Sequence, residues 1–162
     1  MTLHKVTRAH HAHLMPHVDA LLAIAEMIGK APLSDVQAKL DDEYEFIVQQ
    51  LIPHMETVEK SVYPELQRLL QNPRAMAPME REHKEVRRLI GELGTFRAQM
   101  HGGGLGHGQA LRLRRVLVRL FAILKVHLAE EEEYTPILEH NVTPERAEAL
   151  AASMEHAVRE QL

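Results

Sequence analysis

Cysteine is absent from the 162 residues, which excludes disulfides, thiolate metal sites and a cysteine nucleophile. Tryptophan is absent too, and Tyr and Phe contribute only three residues each. Leu, Ala, Val, Ile and Met carry the apolar content, which favours helix over sheet. No stretch approaches the roughly 20 uncharged apolar residues that a membrane-spanning helix needs. The first residues hold no apolar signal-like segment, so the expectation is a cytoplasmic protein without membrane contact. A formal net charge of −4 argues against nucleic acid as a partner. No Ser-His-Asp arrangement, phosphate loop or nucleotide fingerprint is legible. What the chain holds in excess is histidine, with twelve residues, and imidazole is the commonest side-chain metal ligand.

The length suits one domain, residues 1–162, around one core. Apolar residues recur at three- and four-residue steps in four long stretches, which predicts helices over 10–28, 35–71, 75–100 and 109–140, with a short fifth helix over 144–160. Residues 1–8 read as a polar lead-in. The connections are Gly29 to Asp35, with Ser34 as N-cap, and the Asn72-Pro73-Arg74 stretch with Pro78. A third is the glycine-rich run from His101 to Gly108, a flexible loop with both histidines at the surface. Thr143-Pro144 opens the fifth helix, which packs through Ala147, Leu150, Ala151, Met154 and Val158. The predicted fold is all-α: an antiparallel up-down four-helix bundle with a short additional C-terminal helix.

Chemistry enters where polar residues occupy core positions. On the fourth helix Leu113, Leu117, Leu120 and Leu124 lead, in the same steps, to His127 and Glu131. An ionised carboxylate in an apolar core is costly unless it is paired or bound to a cation, and no Lys or Arg lies on that stripe below Lys125. On the second helix His54 follows Leu40, Tyr44, Ile47 and Leu51, while Glu59 lies on the neighbouring line with Ile52, Met55, Val62 and Leu66. Both face inward if the winding relaxes near Pro64. The two segments parallel one another, because Glu59 and Glu131 each precede a proline by five residues. On the first helix His11 is in line with Leu14, Val18 and Leu21, and His17 with Leu21, Ile24 and Ile28; His10 and His13 are more peripheral. His83 sits in the stripe of Met76, Met79, Val86, Ile90 and Leu93. Around it Glu80, Arg81, Glu82, Lys84, Glu85 and Arg87 read as a solvated face with helix ion pairs. His140 and His156 have no claim to a site.

In an up-down topology the histidines at 11, 54, 83 and 127 fall at one end of the bundle. Four imidazoles and two carboxylates suit two metal ions bridged by Glu59 and Glu131, and the donor set fits Fe, Mn, Zn or Co. Helix geometry separates Glu131 from Glu132. At about 100° per residue Glu131 lies about 40° from His127 and Glu132 about 140° away, which makes Glu131 the bridge and Glu132 an outer residue.

With these residues the chain resembles the hemerythrin-like, His-His-Glu cation-binding domains, over nearly its whole length. The resemblance rests on an early His on helix one, His54 followed by Glu59 on helix two, His83 on helix three, and His127 followed by Glu131, Glu132 and Glu133 on helix four. It implies a four-helix bundle around two iron ions, oxo- or hydroxo-bridged, with Mn or Zn as possible substitutes. One iron would take His11 or His17 together with His54, the other His83 and His127, and Glu59, Glu131 and Glu132 complete the candidate ligands. The implied function is binding of O2, NO or peroxide as a sensor or scavenger; the alternatives are a catalase-like enzyme and an iron-dependent interaction module. The chain departs from oxygen-carrying hemerythrins at Arg87, where they place a second helix-three His, and at Val58, four residues after His54, where the family's carboxylate is usual. Glu80, His17, Tyr44, Tyr63 or water would fill the first vacancy. A carboxylate or phenolate there favours the ferric state and peroxide chemistry over reversible O2 carriage. Ferritin-like proteins need two Glu-x-x-His pairs, and only Glu80-x-x-His83 is convincing.

Overall fold

The computed structural model describes residues 2–159, with side chains through Ala157. The predicted end of the fifth helix at residue 160 and the packing role of Val158 lie outside the described residues. All regular structure among the described residues is helical. We number five helices: α1 Leu3–Met27, α2 over 33–69, α3 Ala77–Gly102, α4 His107–Asn141 and α5 Pro144–Arg159.

The polar lead-in is a correction. Helix α1 begins at Leu3, with the Thr2 hydroxyl accepting from Lys5 N. Leu3, Val6 and His10 extend the apolar stripe by two turns and are buried; the charged and polar residues between them hid the pattern. Pro16 lies inside α1 without ending it. The glycine-rich connection is also shorter than expected. Helix α3 runs through Gly102 and α4 starts at His107, leaving Gly103 and Gly104, both with positive φ, to make the turn.

Helix α2 is wound in five pieces. Two π-helical segments, Ile47–Leu51 and Val58–Val62, interrupt its α-helical turns. Each stands before an X-Pro step. Ile52 N–H, ahead of Pro53, bonds the Ile47 carbonyl, and Tyr63 N–H, ahead of Pro64, bonds the Val58 carbonyl, both five residues back. Proline has no N–H and its ring crowds the carbonyl four residues earlier. The wider π turn removes that crowding at the cost of one residue of register.

Helix α1 packs on α2 and α4, and α3 on α2 and α4, while α5 lies against α1 and α2. Two apolar clusters result. The larger contains Leu14, Leu21, Leu40, Leu51, Leu89, Leu93, Leu117 and Leu124. The smaller joins Leu3, Val6, Val62, Leu66, Met76, Met79 and Leu138 to Leu150 and Met154 of α5. On each of α1 to α4 buried polar residues lie where the chain passes from one cluster to the other: Thr7, His10 and His11 on α1, His54 on α2, His83 on α3, and His127, Glu131 and Thr135 on α4, while Gln50 of α2 sits within the larger cluster. A polar layer is therefore closed by apolar packing on both sides.

Candidate metal centre

Five side chains meet in that layer. His11, His54, His83 and His127 are at most 1% exposed and Glu131 is 4% exposed. Glu131 reaches them through both oxygens. Its Oε2 is 3.0 Å from His11 Nε2 and 3.0 Å from His54 Nε2. Its Oε1 is 3.0 Å from His127 Nε2 and 3.8 Å from His83 Nε2. His11, His54 and Glu131 thus form one group with the spacing to hold a metal ion, and His83, His127 and Glu131 form another. Helix α4 stays α-helical through this region, so the four-residue step from His127 turns Glu131 inward.

The outer ring nitrogens fix what the inner ones offer. His83 Nδ1 is 2.7 Å from Glu59 Oε1, His127 Nδ1 is 2.6 Å from Glu82 Oε2, and His11 Nδ1 is 3.2 Å from Glu132 Oε1. An ionised carboxylate only accepts, so each Nδ1 donates; in the neutral ring this leaves the Nε2 lone pair pointing inward. His83 Nε2 and His127 Nε2 then stand 2.7 Å apart, a distance that two lone pairs hold only with a proton or a cation beside them. The donor set fits metal ions on this observation. Burial works against ionised Glu131, yet His54, His11 and His127 hold its carboxyl well below the usual carboxylate range. Burial likewise opposes a charge on His127, but Glu131 and Glu82 push its pKa up.

The other candidates lie elsewhere. His17 Nδ1 donates to Glu43 Oε2 at 2.8 Å and the ring stacks on Phe46 with centroids 3.4 Å apart; the structure does not bring it to the group. Glu59 is behind His83, gripped by the Arg87 guanidinium at 2.9 and 3.0 Å. Glu132 stands behind His11. Glu80 is exposed. The expected solvated face around His83 is corrected at two positions: Glu82 orients His127, and Arg87 neutralises Glu59. Glu82 and Glu130 also cluster with His127 on the outer side, half-exposed.

Two contributions were not read from the sequence. His10, expected at the periphery, is only 6% exposed, with Nδ1 3.0 Å from His54 Nδ1. Burial, then the neighbouring imidazoles of His54 and His11, lowers its pKa to about 3. The Leu3, Val6, His10 spacing was the available signal. Glu82 carried none, because one more acid in a charged run is indistinguishable from its neighbours. Tyr63, one of the residues expected to fill the vacancy beside His83, does reach the centre. Its hydroxyl donates to Glu131 Oε1 at 3.4 Å and lies 3.3 Å from His83 Nε2, and burial with the Glu131 charge raises its pKa. Beside Tyr63 and Glu131 is a cavity of ≈ 10 Å³, also lined by Thr7, Val58 and Met154, about the least that admits one water-sized molecule.

No helix among the described residues is long and apolar enough to cross a membrane. No curated protein and no solved structure matches the chain. The hemerythrin HHE cation-binding domain family matches residues 2–104, which span α1 to α3 and include His11, His54 and His83. With most of its length matched and buried His and Glu groups spaced to hold metal ions, the chain belongs to the hemerythrin HHE cation-binding domain family.

Proposed function

We propose that this is a non-heme di-iron protein that binds O2, NO or peroxide as a sensor or scavenger. The observation that carries the reading is the carboxylate of Glu131, whose two oxygens each face a different pair of imidazole nitrogens. His11 and His54 would hold one iron, His83 and His127 the other, and Glu131 would bridge them. Glu59 and Glu132, both expected among the ligands, would act through the histidines they hydrogen-bond. Bound iron would supply electrons and an open coordination position for the small ligand. The chain's own part is to fix three ring tautomers through outer carboxylates, to exclude bulk water with two apolar clusters, and to offer the cavity beside Tyr63. Thr7, whose buried hydroxyl has no hydrogen-bond partner among the described residues, lines that cavity and can donate to an oxygen atom there.

The same reading includes a single domain over residues 1–162, cytoplasmic, built as an antiparallel four-helix bundle. The order of the clusters supports the topology: the smaller precedes the larger along α1 and α3 and follows it along α2 and α4. Elemental analysis after iron-replete expression should find two iron ions per chain; one or none overturns the proposal. Absorption spectra recorded with O2, NO and peroxide then identify the ligand.

Catalase-like turnover of peroxide is the second reading, and Tyr63 favours it. The phenol stands at the His83 side of the centre, on the helix-three histidine whose usual neighbour is replaced by Arg87. Were Tyr63 to give up its proton on binding iron, its phenolate would stabilise the ferric state. Oxygen evolution from added peroxide, abolished in Tyr63→Phe, distinguishes turnover from binding.

A further inference from the structure

We propose that the two halves of the centre are unequal cation sites, the His83/His127 half binding a divalent ion first and the His11/His54 half binding the second more weakly, with His10 setting the difference as a positioning residue behind His54. The inference rests on the two-ion reading and goes beyond it.

The argument lies in what stands behind each ring. His83 and His127 donate from Nδ1 to carboxylates at 2.7 and 2.6 Å. A carboxylate on the outer N–H pushes electron density toward the inner nitrogen and strengthens it as a ligand. His54 has no carboxylate behind it. Its outer nitrogen meets His10 Nδ1 at 3.0 Å. One of these nitrogens must donate and the other accept. With His54 Nε2 turned to Glu131 and a metal ion, His54 donates and His10 accepts as a neutral ring. A neutral imidazole polarises its partner less than an ionised carboxylate does.

Nothing extends the chain beyond His10, because its Nε2 is buried without a hydrogen-bond partner among the described residues. The other ring of this half is also weakly backed: Glu132 lies 3.2 Å from His11, is 35% exposed, and has Arg8 Nε 3.8 Å from its second oxygen. Glu59, by comparison, is fixed by both terminal nitrogens of Arg87. The His83/His127 half also has the Tyr63 hydroxyl within reach.

Cobalt(II) added to the purified full chain tests this. At one equivalent, anomalous scattering from crystals should place cobalt chiefly at His83 and His127, and chelator titration of the fully loaded protein should remove two ions in steps at least about tenfold apart, since outer partners change metal affinity by about 10–100-fold. His10→Leu should weaken the first ion to leave by about 10–100-fold and the second by less than about threefold. His10→Gln, which restores a neutral acceptor, should recover most of the loss and serves if the Leu variant folds poorly. Ions that leave in one step, equal occupancy at one equivalent, or a His10→Leu loss shared by both steps overturns the inequality and leaves the two-ion reading standing. A wild-type chain that takes up no cobalt overturns both.

Discussion

Glu131 and Glu132 are adjacent in sequence, and about 100° of helix separates their work. Glu131 faces four imidazoles, whereas Glu132 faces the outer nitrogen of one. Glu131→Ala should therefore lose both metal ions, because each proposed position shares that carboxylate. Glu132→Ala should keep both and weaken only the ion at His11, by about 10–100-fold as expected for an outer hydrogen-bond partner. Iron content per chain of the two variants checks this, and the reverse pattern would mean that the assignment is wrong. Glu131 was legible from sequence because α4 keeps a regular period from Leu113 onward. Glu59 was less so. Its parallel with Glu131, five residues ahead of a proline, suggested a second bridge, but a regular period does not run through a π turn. Glu82 and Arg87 were illegible for another reason. A charge on a helix face becomes meaningful only when the helix it faces is known, and here the partners come from α4 and α2.

At the scale of elements, the four long helices were legible because each carries a sustained stripe of Leu, Val and Ile. Their ends were harder. The two extra turns of α1 depend on Leu3 and Val6 having a cluster to enter, and α5 supplies much of it through Leu150, Ala151 and Met154. Helix α5 is also tied to α2 by charge. Glu65 accepts from Arg68 on its own helix and from Arg146 of α5, and these guanidiniums, Arg68 first, hold its carboxyl below its ordinary value. A depressed folded-state pKa means that this stabilisation is fully present above the unfolded carboxylate pKa of about 4.3 and is lost as pH falls through the folded value. Both arginines are about half exposed or more, so the pairs together are worth about 0.5–1 kcal/mol. Glu65→Gln should lower the melting temperature by about 1–4 °C at pH 7 and by less near pH 3. An equal deficit at both pH values would show that the carboxylate charge is not what ties α5 down.

For the whole molecule, the polar layer is where folding and function meet. Two apolar clusters enclose five imidazoles, His10 included, and the Glu131 carboxylate, and burying such a group is costly unless every member is satisfied. Without metal, a ring with carboxylates on both nitrogens donates to both only when it carries two protons. His127 lies between Glu131 and Glu82, and its inner proton also fills the 2.7 Å gap to His83 Nε2, which leaves a cationic ring inside apolar packing. Metal cations offer the alternative, since they take the inner lone pairs and leave one proton on each outer nitrogen. Because a site assembled from four helices does not exist in the unfolded chain, metal binding adds directly to folding stability. At free metal about a thousandfold above the dissociation constant the gain is about 4 kcal/mol, which for a chain of this length is about 8–16 °C in melting temperature. Calorimetry of the metal-loaded protein, and of the same protein after exhaustive chelation, should show a loss in that range. The largest loosening should appear in amide exchange of the turns around His11, His54, His83 and His127. Equal melting temperatures would mean that the layer is satisfied by protons alone, and the histidines would then be structural.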